Sequence, residues 1–376
     1  MDFSFNDTQK EVQNLANQIL TDLSTTERLN AIDQQEDRFD DKLWAQLAES
    51  GLLGVAISED NGGMGFGFTE LSLFIEEIGR TVAAAPVIPV LVSGALPVQK
   101  FGSPEQQKRL LPDIVTGKKL ITAGLSEALA ECPSAPATVA EPAGTGFKLT
   151  GSKIAVPFAH KAQRILVTAK VGEDVGVFLL DPNAEGVELN REVSTTREPW
   201  FEVVLSEALV AEEDVLVAGP EGQAAALWIA ERTVAASCAM QVGVVGQCMK
   251  ITAGYTCERV QFGVPVGSFQ AVQHRAADCF IDVTCLKLTT YQAVSMLDSE
   301  KEATNEVLMA KIWAGDTGHR VSYASQHLHG GTGIDKDYHL WRYCLWARQL
   351  EMVLGSSAAL LAALGGRIAE GKAFAE

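Results

Sequence analysis

The chain holds seven cysteines (Cys132, Cys238, Cys248, Cys257, Cys279, Cys285, Cys344) but no C-x-x-C pair. An odd, scattered set is no disulfide framework and reads as reduced thiols in a cytoplasmic protein. Positive charge is short as well. Thirty Lys and Arg against 48 Asp and Glu leave a net charge of −18. That argues against nucleic acid, because neutralising phosphates needs a basic face. A local basic pocket for a phosphorylated small ligand stays open. No apolar run is clean enough for a bilayer: the longest, around 224–249, is broken by Glu231, Arg232, Gln241 and Gln247, so no membrane span is expected. The start, MDFSFNDTQKEV, is acidic and amphipathic, unlike a signal peptide. Neither G-x-x-x-x-G-K-[ST] nor G-x-G-x-x-G occurs, and there is no repeat or low-complexity tract.

What is present points to an α+β protein in three parts. Apolar residues make up 47% of the 376, ample for a sizeable core, and charged residues are too few for a disordered chain. Residues 1–118 read as an N-terminal α-helical domain. Asn6-Asp7-Thr8 offers caps for a first helix, and a second runs from Asp41 to a stop at Gly51. A strand-like piece, Leu52–Ile57, precedes the Gly-rich loop 60–67. That loop reads as a flexible cap before a helix with Thr69 as N-cap, rather than as a phosphate cradle. Ser103-Pro104-Glu105 starts another helix, with Pro at its first position. Residues 119–218 read as a middle antiparallel β domain, a barrel or sandwich of short strands: 120–125, 146–150, 165–169, 175–180, 187–189 and 201–205. Turns are expected at 141–144, 181–183 and 219–222. Residues 219–376 read as a C-terminal four-helix bundle of helices 223–258, 268–297, 301–327 and 340–370.

Within the bundle, ERVQFGVPVGSFQAVQHRAAD (258–278) stands out. Arg259 falls at a helix end. Phe262 and Gly263 follow, then a turn from Pro265 to Gly267 and a new helix with Ser268 as N-cap and Phe269, Val272 and Ala276 as its apolar stripe. Arg259 and Gln270 then flank a corner where polar groups can converge on a ligand. An arginine at a helix end also serves as a C-terminal cap or a surface ion pair.

The order of helical domain, β domain and helical bundle resembles the acyl-CoA dehydrogenase family. LWAQLAESGLLGVAISEDNGGMGFGFTELSLFIEEIGR (43–80) is similar to that family's N-terminal signature, and FGSPEQQKRLLPDIVTGKK to its next one. RVQFG with SFQAVQHRAAD resembles its flavin contact, and HLHGGTGIDKDY (327–338) its Gln-x-x-Gly-Gly-x-Gly loop. The resemblance implies an FAD enzyme oxidising an acyl-CoA thioester to the 2,3-enoyl-CoA. A desolvated carboxylate takes the α-proton and the β-hydrogen leaves as hydride. It also implies an oligomer and an electron-transfer flavoprotein as acceptor. Carried over residue by residue, Arg259, Phe262, Gln270, Gly330 and Gly331 reach the pyrophosphate and adenine side of an FAD held mainly by a neighbouring subunit. His327 stands where the family has Gln, as a structural or FAD-contacting residue; His327 and His329, two apart in a loop, lack the further ligands that a metal would need.

Three departures bear on activity. The family's Thr-Glu-Pro is Ser126-Glu127-Ala128 here. Ser126 can still donate to the flavin ring, but the Pro and the Gly-rich turn are gone. The family's Trp-Ile-Thr-Asn is Ala155-Val156-Pro157-Phe158, and Pro157 has neither hydroxyl nor N–H to offer. The base position, before a Gly-Thr, holds Leu354 before Gly355-Ser356. Glu351 lies three residues earlier and reads as a helix-surface charge. Some members place the base as a Glu before an Arg on the first bundle helix, as in Glu231-Arg232. Glu231 is about two residues further from Arg259 than that pattern has it, and two residues rotate a helix by roughly 200°. On a longer-spaced pattern the acid falls at Met240. Glu231 is therefore either a relocated base or a helix acid paired with a neighbour.

Two readings follow. One is a self-sufficient homo-oligomeric acyl-CoA dehydrogenase using Glu231 or another carboxylate. The other is a base-lacking subunit that completes the FAD site of a second family member. The HGGTGID…Y loop resembles that of heteromeric bacterial enzymes acting on steroid side-chain CoA esters.

Overall fold

The computed structural model describes residues 4–128 and 132–372. In chain order the elements are α1 (Asp7–Leu23), α2 (Thr26–Ile32), α3 (Asp41–Glu49), α4 (Phe68–Thr81), α5 (Leu96–Phe101), α6 (Pro104–Val115), β1 (Leu120–Gly124), β2 (Val139–Ala143), β3 (Gly146–Pro157), β4 (Ala162–Val171), β5 (Asp174–Leu180), β6 (Val187–Val193), β7 (Pro199–Val210), β8 (Val215–Gly219), α7 (Gly222–Glu258), β9 (Val260–Gln261), β10 (Val264–Pro265), α8 (Gln270–Asp298), α9 (Thr304–His329), α10 (Leu340–Met352) and α11 (Ser357–Ala369). A π-helical stretch, Ile88–Ala95, leads into α5. The chain forms two compact units, one of residues 31–71 and 84–233, the other of 1–30, 72–83 and 234–376.

The first unit carries the sheet, in the order β6-β7-β3-β2-β4-β5-β8. The antiparallel expectation holds for most pairs. However, β1 runs parallel to β4, and β2 meets β4 in parallel at Val139–Lys170. β1 and β2 share one slot between β3 and β4: β2 pairs with the first half of β3, and Ser126 bridges to Ile154 further along it. Leu149, Val156, Ile165, Val167, Phe178, Phe201 and Val203 fill the core. Two strands escape the sequence reading, β2 and β8. Glu141-Pro142-Ala143 lies in β2, so the turn begins only at Gly144. Leu52–Ile57 is not a strand but a 3-10 turn over Leu52–Gly54. Its carbonyls still accept hydrogen bonds. Met64, Gly65 and Phe66 donate to Gly54, Ile57 and Val55 at 2.8, 2.8 and 3.0 Å. The Gly-rich loop is thus pinned rather than flexible, and these three N–H groups are engaged by the chain itself. Glu70 Oε2 accepts from Gly67 N–H at 2.9 Å, so α4 starts before Thr69, which is not its cap. α6 begins as expected: Ser103 Oγ accepts from Gln106 N–H (3.2 Å) and Gln106 Oε1 from Ser103 N–H (2.8 Å), a reciprocal cap.

The second unit is helical. Its α4 and α7 segments meet through glycine. A Cβ on Gly79 would lie 2.1 Å from Met240 O, and one on Gly243 1.9 Å from Glu76 O. Buried Ala310, Ala314, Gly315 and Gly318 give α9 a small-residue face. The last helix of the expected four is two helices: Leu354 (φ +52) and Gly355 (φ +116) break it between α10 and α11. By length and composition alone, 222–258 and 340–369 pass as membrane spans, with 67% and 6% of the apolar window buried. The second is divided by that break into helices of 13 residues each, short of the ~20 needed to cross a bilayer. All seven cysteines are free.

Candidate cofactor site

In the helical unit, α7 closes on Arg259, whose N–H donates to Tyr255 O at 2.8 Å. Residues 260–265 then form a two-strand hairpin pinned by Val266 N–H to Arg259 O at 2.8 Å. Phe262 at its tip has φ +54 and is 93% exposed. A left-handed backbone is uncommon for a bulky residue such as phenylalanine. Ser268 does not cap α8: its hydroxyl donates to Pro265 O at 2.7 Å, and Phe269 holds the cap position without a side-chain bond. The first turn of α8 therefore keeps its N–H groups unclaimed by a cap side chain, beside exposed Gln270. Exposed Phe280, Ile281 and Leu288 follow on α8.

His327 and His329 lie in the last turn of α9 rather than in a loop. His327 is exposed and accepts from Arg275 Nη1 through Nδ1 at 3.2 Å, so Arg275 joins the predicted set. Gly330 follows with φ +59 and ψ −135, a conformation essentially reserved for glycine. A Cβ on Gly330 or Gly331 would meet nothing within 4 Å. Among the described residues no packing demands these glycines to be small, and an approaching ligand would find open space there. These residues fit the pyrophosphate and adenine side of FAD: a guanidinium, an amide, an aromatic and bare backbone.

The residues expected at the flavin-ring end lie in the β unit, and their chemistry fits that role poorly. Ile154 N–H donates to Ser126 O at 2.9 Å, Ala155 N–H to Glu192 Oε2 at 2.9 Å and Phe158 N–H to Pro199 O at 2.8 Å. Pro157 has no N–H, and its carbonyl accepts from Thr122 Oγ1 at 2.7 Å. Ala155 and Phe158 both adopt positive φ, and the Phe158 ring is buried 6.0 Å from that of Phe39. Ser126 is half-buried; residues 129–131 of GLSEALAE fall outside the described residues. Glu127 turns inward. It pairs with buried Lys153 and accepts from Ala137 N–H at 2.6 Å.

Leu354, expected at the base position, brings no acid there. Leu354 sits in the left-handed break after α10. Glu351 is engaged: its Oε2 accepts from Arg348 Nη1 at 2.8 Å and its Oε1 lies 3.8 Å from His319 Nδ1. Buried Lys311 donates to the carbonyls of Leu350 and of Glu351 (3.1 Å), closing α10. Burial pulls its amine down to about 8. Glu231 is half-buried on α7, and the Arg232 guanidinium beside it lies 3.8 Å over the Trp228 ring. Met240 is buried at the α4 crossing.

Comparison with known proteins agrees with this architecture. Residues 6–118 match the acyl-CoA dehydrogenase N-terminal domain and 221–369 the acyl-CoA dehydrogenase C-terminal domain. The chain is 33% identical to acyl-CoA dehydrogenase FadE27 of Mycobacterium tuberculosis, over 98% of this chain and 99% of that one. Among solved structures it is similar to the ChsE4-ChsE5 complex of Mycobacterium tuberculosis, with TM-score 0.93 and 33% identity over 98% and 99% of the chains. It is also similar to a variant of the Tcur3481-Tcur3483 steroid ACAD, with TM-score 0.91 and 39% identity over 98% and 99%. The chain belongs to the acyl-CoA dehydrogenase family of FAD-dependent oxidoreductases.

Proposed function

We propose that the chain is the base-lacking subunit of a heteromeric acyl-CoA dehydrogenase, acting in the α,β-dehydrogenation of an acyl-CoA thioester and completing the FAD site of a second family member. The observation that carries this reading is Leu354. A hydrocarbon side chain occupies the place of the base, and the nearest carboxylate along the chain, Glu351, is tied to Arg348. No proton can be taken from the α-carbon by leucine, so the base belongs to the partner. The ring-end backbone of 154–158 is spent on the chain's own bonds, whereas Arg259, Phe262, Gln270, Gly330 and Gly331 are exposed. When bound, FAD supplies the hydride acceptor. Arg259 would pair with its pyrophosphate, Gln270 and His327 would flank it, and the two glycines would let backbone approach. Support for a heteromer comes from the chain's similarity to the ChsE4-ChsE5 complex and to the Tcur3481-Tcur3483 steroid ACAD, each named as a pair. The substrate class would be a bulky, steroid-like acyl-CoA, the electron acceptor an electron-transfer flavoprotein, and the compartment the cytoplasm. Domain boundaries near residues 118 and 218 complete the reading.

The test is purification of the chain alone and with a second family member that has an intact base. Colourless protein alone and about one FAD per heterodimer, a stoichiometry set by one clamp serving one flavin, is the expected result. Yellow protein that bleaches on adding acyl-CoA to the chain alone would overturn the reading in favour of a self-sufficient enzyme with a relocated base, Glu231 or another carboxylate.

A further inference from the structure

Two distant segments of the helical unit carry the groups assigned to the pyrophosphate: the end of α7 with Arg259, and the Gly330–Ile334 loop. One stacked pair joins them. Tyr255 lies a single turn before Arg259 and accepts its N–H. The Tyr255 ring stacks on the His329 imidazole, with centroids 4.2 Å apart and planes 24° from parallel. Its hydroxyl donates to His329 O at 3.3 Å. His329 is buried and is the last residue of α9, directly before Gly330.

The same imidazole holds the far side of the loop. Its Nδ1–H donates to Ser325 O at 2.8 Å, which leaves Nε2 as the acceptor for the Tyr338 hydroxyl at 3.3 Å. The loop's own geometry leaves little slack, since a Cβ on Gly333 would stand 2.6 Å from Gln326 O. Burial pulls the His329 pKa below its ordinary value, which favours the neutral tautomer this pattern needs.

We propose that the Tyr255–His329 stack is a positioning pair that sets the spacing between the Arg259 guanidinium and the Gly330-Gly331 backbone, so that both engage one pyrophosphate. This rests on the reading of those residues as the pyrophosphate side of the FAD site. The pair acts through its neighbours: Tyr255 orients the residue four positions on, and His329 the residue immediately after it. Misplacement of either by a fraction of an ångström would split a bidentate clamp into two weaker contacts.

The experiment is titration of FAD into the full chain with its partner subunit, read by flavin fluorescence. Tyr255→Leu should raise the FAD Kd roughly tenfold, a shift within the usual range for coupled neighbours. Tyr255→Phe keeps the ring and should bind as the wild type does. In an Arg259→Ala background, Tyr255→Leu should add little further loss. Independent, additive losses would overturn the proposal, as would a Tyr255→Leu that lowers Tm with an unchanged Kd. Should Tyr255→Leu fail to fold, Tyr255→Met is a milder change that still removes the ring; an unchanged Kd there also overturns it. An Arg259→Ala without effect on FAD would instead refute the underlying reading of the site.

Discussion

Lys153 and Glu127 form an ion pair whose side chains are 0% and 4% exposed. The ammonium also lies 3.3 Å from Thr168 Oγ1. Burial pulls the Lys153 amine down to about 8 in spite of the carboxylate. Taking both charges out of water offsets much of their attraction, so the pair contributes less net stability than its geometry suggests. Removing one partner is another matter. Glu127→Gln should cost about 3–5 kcal/mol, and the double change Lys153→Met/Glu127→Leu should recover most of it. Urea unfolding measures both; an unchanged midpoint for Glu127→Gln would mean that the ammonium finds other partners.

Lys311 gives a pH signature. Its folded pKa of about 8 lies below the ordinary 10.5. Between those values the unfolded chain binds the extra proton, so this lysine makes stability rise with pH from about 8 to 10.5 and contributes no slope outside that window. The wild-type stability curve should exceed that of Lys311→Met in slope by up to about 1.4 kcal/mol per pH unit there. Parallel curves would contradict the assignment.

Arg259 is exposed, so its loss should leave stability within about 0.5 kcal/mol of wild type. Flavin retention should nonetheless fall in Arg259→Ala, and Arg259→Lys should not restore it, because a point charge cannot reproduce two parallel N–H···O bonds. Flavin absorbance per protein after gel filtration reads both variants.

Phe262→Asp should separate association from folding. The side chain touches little of its own unit, so thermal unfolding of the single chain should be unchanged. Burying a charge in place of an aromatic anchor should cost the complex several kcal/mol. Size-exclusion elution as separate chains is the expected result; an intact complex would place the interface elsewhere.

Leu354→Glu restores a carboxylate to the base position. Because the ring-end N–H groups of Ile154, Ala155 and Phe158 are already engaged, this change by itself should not let the isolated chain bleach with acyl-CoA. Bleaching would show that the missing acid was the sole obstacle.

Local chemistry was legible and distant pairing was not. The helix start at Ser103-Pro104 and the stops at Gly51 and Arg259 are written within a few residues, and they are found where the sequence puts them. The break at Leu354 was hidden because the apolar period runs on through it and leucine gives no warning of a positive φ. β2 reads as a turn on account of Pro142, whose missing N–H a sheet tolerates where no ladder bond is due. The parallel β1–β4 pairing joins residues 42 or 43 apart in sequence, such as Leu120 with Ala162 and Thr122 with Ile165, which no window reports. At the site, Arg259, Gln270 and the glycines were read from motif, whereas Arg275, Tyr255 and Tyr338 were missed. The Arg275 and Tyr255 contacts exist only once α8 and α9, or α7 and α9, lie side by side, and the Tyr338 contact only once the loop after α9 folds back on His329.

The division into two units has a consequence for how the protein is made. The helical unit draws on residues 1–30 and 72–83 as well as on 234–376. On the ribosome α1 is made before most of the surface it is destined for, which lies in 234–376. The sheet-bearing unit, all of whose segments end by residue 233, can settle first. Until the last helices are released, α1 and the α4 segment remain amphipathic faces without their final cover, open to chaperones and prone to wrong partners.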